Sequence, residues 1–99
     1  MSWASHHITA LKAGKTVQFR PRGNSMQGRI ESGQLVTVEP LAGIPSVGDI
    51  VLCSVNGTHY LHLVSAKNGN RFQISNNKNK INGWTTLAHI YGVVIELSA

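Results

Sequence analysis

After Gly14 the chain is a series of short β-type runs separated by turn residues. In the first run Val17 and Phe19 alternate with polar residues, and residues 49–55 form the most apolar run. Short, closely spaced strands of this kind are typical of barrels and sandwiches. We therefore expect a mainly β fold, a compact barrel or sandwich of about six strands. The predicted strands are residues 16–20, 34–39, 49–55, 58–66, 71–75 and 89–97.

Only residues 2–14 have a helical pattern. Ile8 and Leu11 would lie on one face of this helix, and Gly14 would end it. Ser5 is a candidate for the N-cap. A chain of 99 residues suits one domain. The expected organisation is a short N-terminal helix in residues 1–14, followed by a β domain in residues 15–99.

Asn56-Gly57 is a strong signal for a two-residue hairpin turn between the third and fourth predicted strands. Side chains alternate across a strand, so Tyr60, His62 and Val64 share one face of the returning strand. The polar residues 76–82 are expected to form a loop. This loop, with Trp84 beyond it, either lines a peptide groove or is stabilised by its own Asx turns.

The formal net charge of the chain is +5, from nine Lys and Arg against four Asp and Glu. A basic balance makes nucleic acid or an acidic partner worth considering. The basic residues are spread along the chain, however, and aromatic residues make up only 6% of it. General solubility therefore explains the charge better than nucleic-acid binding does.

Cys53 is the single cysteine, so an intrachain disulfide is excluded. Its apolar surroundings in sequence predict a buried, inert thiol. No apolar stretch reaches the roughly 18 to 20 residues that a membrane-spanning helix needs. Residues 1–7 lack the basic start and apolar block of a secretory signal. We expect a cytoplasmic protein without a membrane span.

A serine between two glycines is the most informative local motif. Ser25 lies between Gly23 and Gly28 in a segment that separates two predicted strands. Glycine permits positive φ and close backbone approach, which suits a serine displayed in a tight turn. The backbone N–H groups of such a turn could also bind an oxyanion. The alternative is an ordinary turn without chemistry.

A serine hydroxyl needs a base to become a nucleophile at neutral pH. His62, on the apolar returning strand of the hairpin, is the candidate. Partial desolvation there would favour neutral imidazole, which can accept a proton. The alternative is a packed, hydrogen-bonded histidine without a catalytic role.

Three blocks of sequence favour the catalytic interpretation of Ser25 and His62. They are Gly23-Asn24-Ser25-Met26, then Ile30 with Ser32-Gly33-Gln34-Leu35-Val36, then Val47-Gly48-Asp49-Ile50-Val51. Their order and spacing resemble the signature of the LexA/signal-peptidase superfamily. Residues 90–94 resemble the closing strand of that family, and the resemblance extends over residues 16–97. It implies a LexA-like peptidase domain with a β fold.

The resemblance implies that Ser25 is the nucleophile and that Met26 helps to shape the floor of the substrate site. The usual base of the family is a lysine, and His62 occupies its place here. This is similar to the Ser–His version in the catalytic subunits of endoplasmic-reticulum and archaeal signal peptidases. Histidine needs less pKa depression than lysine to act near neutral pH. Lys67 is the alternative base.

Further roles are predicted around this pair. The substrate and oxyanion site would include Gly23 and Asn24, with the Ser25 N–H as donor. Asp49 would orient His62 as a third catalytic member, or else make a structural hydrogen bond. Ala13-Gly14 resembles the cleavage dipeptide of the family, so self-cleavage is an alternative to action on another protein.

No cofactor or metal is expected, because the adjacent His6 and His7 would point in different directions from a helix. The leading hypothesis is a soluble serine peptidase with a Ser25–His62 dyad that cleaves an extended peptide. The rival is an inactive module of the same fold that binds a protein partner or nucleic acid. The residues proposed for nucleic-acid contact are Arg20, Arg22, Arg29 and Lys78.

Overall fold

The computed structural model describes residues 2–99 and contains one antiparallel sheet of seven strands. The elements are the helix α1 (Ser5–Lys12), the strands β1 (Val17–Phe19), β2 (Leu35–Pro40), β3 (Ile50–Val55), β4 (Thr58–Asn68), β5 (Arg71–Ser75), β6 (Ile81–Thr86) and β7 (Ile90–Ser98), and a 3-10 turn at Leu87–His89. The strands lie in the order β1-β2-β7-β3-β4-β5-β6. The predicted mainly β fold with a short N-terminal helix is confirmed, but the sheet is not closed into a barrel.

The strand missing from the predicted set of about six is β6, which begins within the segment expected to be a loop. Asn82 and Gly83 are typical turn residues, and Gly83 has a φ of +138°. Gly83 also lies close to Val55, since a Cβ on it would be 3.0 Å from the Val55 Cγ1. Tertiary packing of this kind overrides the local turn preference. The β5–β6 register shifts at this point, because Ile74 pairs with Gly83 and Ser75 pairs with Ile81, which leaves Asn82 of β6 as the extra residue.

The predicted hairpin turn is confirmed. Asn56 and Gly57 have φ angles of 50° and 84°, the paired positive values that a type I′ turn requires. The turn pairs Val55 with Thr58 and therefore places His62 opposite Val51 on β3. A two-residue turn sets the register of both strands, which decides the face on which His62 lies.

Helix α1 begins after Ala4, not after Ser5, and its N-cap makes no side-chain hydrogen bond. The prediction of Ser5 as the cap is wrong, because Ser5 is already the first helical residue. At the other end Gly14 has a φ of +83°, and Lys15 N–H donates to the Ala10 carbonyl. This is the Schellman arrangement that ends helices at glycine. The helix has eight residues, and no helix within residues 2–99 is long and apolar enough to cross a membrane.

The sheet buries apolar side chains on both of its faces. Leu52 on β3 packs in one cluster with Ile8 and Leu11 of α1, whereas Val51 and Cys53 pack in the other. Alternate residues of a strand point to opposite faces, so an apolar run such as β3 supplies both clusters. Burial raises the pKa of the Cys53 thiol to about 12, as expected for an inert cysteine.

Gly92 on β7 has the closest neighbours of the glycines in the sheet. A Cβ there would be 2.6 Å from the Glu39 carbonyl oxygen and 2.7 Å from the Val38 Cγ1. We predict that Gly92→Ala lowers the free energy of unfolding by about 1–3 kcal/mol through overpacking, measured by urea denaturation. Gly43→Ala is the control, because no atom lies within 4 Å of that Cβ position. A Gly92→Ala protein as stable as the control variant would contradict the packing described here.

Candidate active site

Ser25 lies in the connection between β1 and β2, where it is exposed. The next residue, Met26, is 5% exposed, and Ile30 is 3% exposed. Both belong to the apolar cluster beneath α1. The Met26 carbonyl accepts hydrogen bonds from the N–H groups of Arg29 and Ile30 at 2.9 and 2.8 Å. Two buried side chains thus anchor the loop and leave the Ser25 hydroxyl at the surface.

Short polar contacts hold the same loop from within. Gly23 N–H donates to Ser32 Oγ at 3.1 Å, and Gly28 N–H donates to Glu31 Oε2 at 2.8 Å. Gly23 and Gly28 have φ angles of +110° and +97°, which side chains with a Cβ rarely adopt. The glycines on either side of Ser25 are therefore required by the shape of the loop.

Residues 20–34, between β1 and β2, form what we call the serine loop. One residue of the connection between β5 and β6, Asn77, is hydrogen-bonded to this loop. Its backbone N–H donates to the Ser25 carbonyl at 2.9 Å. Its side-chain Nδ2 donates to the Gln27 carbonyl at 2.8 Å, and its Oδ1 accepts from Arg29 Nε at 2.9 Å. These three bonds tie a segment distant in sequence to Ser25 and to two residues that follow it, Gln27 and Arg29.

His62 reaches Ser25 from strand β4. Its Nε2 lies 3.1 Å from Ser25 Oγ, within hydrogen-bonding distance. The residue is only 8% exposed, so its ring is enclosed on the protein side and meets the surface at the serine. The convergence expected from sequence is present in the geometry.

The other ring nitrogen of His62 faces Asn82 on β6. Nδ1 and Asn82 Oδ1 are 2.7 Å apart. An amide oxygen can only accept a hydrogen bond, so Nδ1 carries the proton. Nε2 of the neutral ring then has its lone pair directed at Ser25 Oγ. The Asn82 contact therefore selects the tautomer that can accept a proton from the serine.

Tyr60 restricts the plane of the His62 ring. The two side chains lie on the same face of β4, and their rings are stacked with centroids 4.9 Å apart and an interplanar angle of 29°. The stacking and the Asn82 hydrogen bond act in different directions, one on the ring face and one on its edge. Together they limit the rotation of the ring about its side-chain bonds.

Burial lowers the pKa of His62 below its ordinary value of 6.5. The hydrogen bond with Asn82 acts in the opposite direction, but desolvation is the larger effect. Taking an imidazolium out of water is costly, and Asn82 offers a dipole instead of a compensating charge. His62 is therefore neutral at neutral pH.

Other predicted site residues have different surroundings. Asp49 does not orient His62, because its Oδ2 accepts from Ser46 N–H at 2.9 Å, and Asn82 occupies the position at Nδ1. The carboxylate caps its own turn, which is the structural alternative for this residue. Lys67, the alternative base, is exposed and has its Nζ 5.8 Å from the centre of the Phe72 ring.

The remaining predictions divide between the loop and α1. Gly23 and Met26 line the groove beside Ser25, and the Asn24 carbonyl accepts from Gln27 N–H at 3.1 Å. Ala13-Gly14 forms the end of α1. His7 stacks on Phe19 with centroids 4.3 Å apart. Among residues 2–99, no cluster of three or more His, Cys, Asp or Glu side chains could hold a metal ion.

Ser25 and His62 lie in the wall of an open groove of about 540 Å³. Other parts of its wall come from Trp3 just before α1, from Phe19 at the end of β1 and from Leu61 on β4. The groove is therefore bounded by elements on both sides of the serine loop. Its open form leaves space for a segment of extended chain.

From sequence, Asn77 and Asn82 are expected in a polar loop that lines a peptide groove or is stabilised by Asx turns, and neither of them is assigned a contact with Ser25 or His62. The unusual density of asparagine in this loop was a usable signal, since several Asn side chains close to a candidate serine can bind loop carbonyls or a histidine.

Comparison with known proteins gives one family match. The family model described as Peptidase S24-like matches residues 2–95. The match includes the serine loop, β4 and β6. No curated protein matches the chain significantly.

Proposed function

The chain belongs to the Peptidase S24-like family, and from this premise we propose that it is a serine peptidase with Ser25 as nucleophile and His62 as general base. The observation that carries the proposal is the 3.1 Å separation of Ser25 Oγ and His62 Nε2, with Nδ1 held by Asn82. Activated serines in general have this arrangement: the nucleophile is hydrogen-bonded to a base, and a third group orients the base.

In the proposed mechanism, Ser25 Oγ attacks the carbonyl carbon of the scissile peptide while its proton moves to His62 Nε2. The carbonyl π electrons pass to oxygen, and the resulting oxyanion accepts a hydrogen bond from Ser25 N–H. This N–H makes no hydrogen bond within residues 2–99, which leaves it free for that role. Imidazolium then gives the proton to the leaving amine, and the C–N bond breaks to leave an acyl-serine.

Hydrolysis of the acyl-serine uses the same groups, with water as the nucleophile and Ser25 as the leaving group. His62 takes a proton from water, the hydroxide attacks the acyl carbon, and Ser25 leaves with a proton from the imidazolium. Asn82 keeps the Nδ1 proton in place during both halves. Because Asn82 is neutral, it orients the ring without the charge that an aspartate would offer to imidazolium.

The substrate in this proposal is an extended segment of a protein or peptide. Strand β1 stands at one end of the sheet, and Phe19 at its end lines the groove. An open strand edge beside the nucleophile would let a peptide add backbone hydrogen bonds to the sheet.

Nucleic-acid binding has less support. Of the four basic residues named for it, Arg20 donates to the Gly33 carbonyl at 2.9 Å, and Arg29 is bound to Asn77. Both are therefore engaged in holding the serine loop and are less available to phosphates. The inactive module that binds a protein partner stays as the alternative, and the absence of hydrolysis would favour it.

Hydrolysis of a mixture of denatured proteins tests the proposed nucleophile. We predict that the wild-type protein produces new amino termini and that Ser25→Ala reduces the rate at least about 10³-fold, because the nucleophile is lost. Ser46→Ala is a matched control in an exposed loop and should cleave like the wild type. Equal rates for the Ser25→Ala and wild-type proteins would exclude the mechanism.

The pH profile of kcat/KM tests the base. Only neutral His62 accepts the serine proton, so activity falls as pH decreases through its pKa. Since burial lowers that pKa, we predict an acid limb with its midpoint below 6.5. The measurement is initial rate at limiting substrate from about pH 4 to pH 9. Activity that rises steadily to the alkaline end would instead indicate a lysine base and contradict the role of His62.

A further inference from the structure

One wall of the groove is aromatic. Trp3, just before α1, has its ring centroid 5.8 Å from that of Phe19 on β1, and His7 stacks on the same Phe19 ring. All three line the groove that contains Ser25. Trp3 is nevertheless 51% exposed, so much of its ring is in contact with solvent. We call Trp3, His7 and Phe19 the aromatic wall.

Apolar residues continue beneath the serine. Met26 and Leu61 line the groove and are 5% and 6% exposed. Between them and the aromatic wall, a peptide side chain would meet apolar surface on more than one side. Removing a large apolar side chain from water at such a position contributes more than placing it on an open surface.

The charged groups at the groove are mostly engaged. Glu31 Oε2 accepts from Gly28 N–H, and an Arg20 Nη donates to the Gly33 carbonyl. Arg22 differs, because it is exposed and its guanidinium makes no hydrogen bond to an acceptor within residues 2–99. Two guanidinium groups, those of Arg20 and Arg22, therefore face one carboxylate at the groove, and Arg22 is the one left free to bind a carboxylate from outside.

Building on the peptidase function proposed above, we propose that the preferred substrate is a peptide with a large aromatic or aliphatic residue and a nearby acidic residue. The large side chain would pack against the aromatic wall. The acidic side chain would bind the Arg22 guanidinium, a fork of donors that matches carboxylate geometry. The two contacts would place the scissile carbonyl at Ser25 Oγ.

Cleavage of a peptide library tests this preference. We expect replacement of the large residue by Ala to lower kcat/KM by at least about tenfold, as loss of several methylene equivalents does in apolar pockets. Trp3→Ala should remove most of that discrimination, and Trp3→Phe should restore part of it. Arg22→Glu should reverse the preference from acidic to basic residues, whereas Arg71→Glu, an exposed charge on β5, should not.

A fluorophosphonate probe separates this proposal from the peptidase function, because its reaction requires the activated serine but not a peptide side chain. Peptide preference is a ratio of two kcat/KM values within one variant, so it can be compared between Trp3→Ala, Arg22→Glu and the wild type at whatever rate each protein labels. Labelling together with unchanged peptide preference in both variants would overturn the substrate proposal and leave the peptidase function intact.

If the wild-type protein does not label, binding of a fluorescent aromatic–acidic peptide decides the matter. The double variant Ser25→Ala/Arg22→Glu should bind this peptide more weakly than Ser25→Ala alone. A peptide with a basic residue in place of the acidic one should restore binding to the double variant. Both results together would support the groove contacts without catalysis. Equal binding to both variants would overturn the groove contacts as well.

Discussion

His62→Ala is expected to lower kcat by on the order of 10⁴-fold or more. Among residues 2–99, His62 Nε2 is the group within hydrogen-bonding distance of Ser25 Oγ, so no second base can take the proton. Loss of one member of a serine–histidine pair commonly costs about 10⁴ to 10⁶ in kcat, because the members act as a unit. The measurement is kcat and KM on one peptide substrate, and KM should change little.

The control for this variant is His89→Ala, which removes an exposed imidazole outside the groove. Its kcat should stay within a factor of about two of the wild-type value. Circular dichroism and thermal unfolding of both variants separate loss of the base from loss of the fold. A folded His62→Ala protein with kcat reduced less than about tenfold would exclude His62 as the general base.

Asn82→Ala is expected to lower kcat by about 10² to 10⁴, although Asn82 does not touch Ser25. Without the acceptor at Nδ1, the ring is free to hold its proton on Nε2, where it would face Ser25 Oγ and block proton transfer. Asn82 is a positioning residue in this account. Its replacement should therefore reduce kcat and leave KM nearly unchanged.

The pH profile separates this positioning role from a merely structural one. Asn82→Ala removes the hydrogen bond that raises the His62 pKa, so the acid limb should move to lower pH. Asn82→Asp keeps an acceptor and adds a negative charge, so the limb should move to higher pH and kcat should largely recover. Asn70→Ala, in an exposed turn, is the control. Identical acid limbs in the Ala and Asp variants would contradict the assigned contact.

The pairing of Ser25 with His62, 37 residues apart, could be predicted because of the family resemblance, whereas local signals position each residue only within its own segment. The Asn56-Gly57 turn determines the register of β3 and β4, and the alternation of side chains then assigns a face to His62. The glycines around Ser25 similarly indicate a constrained loop. The proximity of the two side chains follows from these local features together with the family resemblance, whereas their catalytic roles stay a prediction.

Asn82 and Asn77 could not be assigned in the same way, because their positions depend on contacts between distant segments. The bond between Asn77 and the serine loop joins residues about fifty positions apart. The Asn82-Gly83 dipeptide has the local preference of a turn, and only packing against Val55 and pairing with β5 keeps it in a strand. A local interpretation of this polar stretch therefore places it outside the sheet.

The prediction that Asp49 orients His62 is wrong because a local contact of Asp49 was overlooked. A carboxylate close in sequence to the histidine strand suggested a third catalytic member. Its side chain instead accepts from Ser46 N–H, three residues earlier, as acidic residues in tight turns commonly do. Local hydrogen bonding thus accounts for the carboxylate, and a neutral amide from strand β6 takes its expected place beside His62.

The most direct measurement of the central claim is the location of a fluorophosphonate adduct by peptide mass spectrometry after brief exposure at neutral pH. Activation of the Ser25 hydroxyl by His62 predicts a single adduct on Ser25 in the wild-type protein and its loss in His62→Ala. An adduct on another serine, or equal modification of Ser25 in both proteins, would contradict that claim.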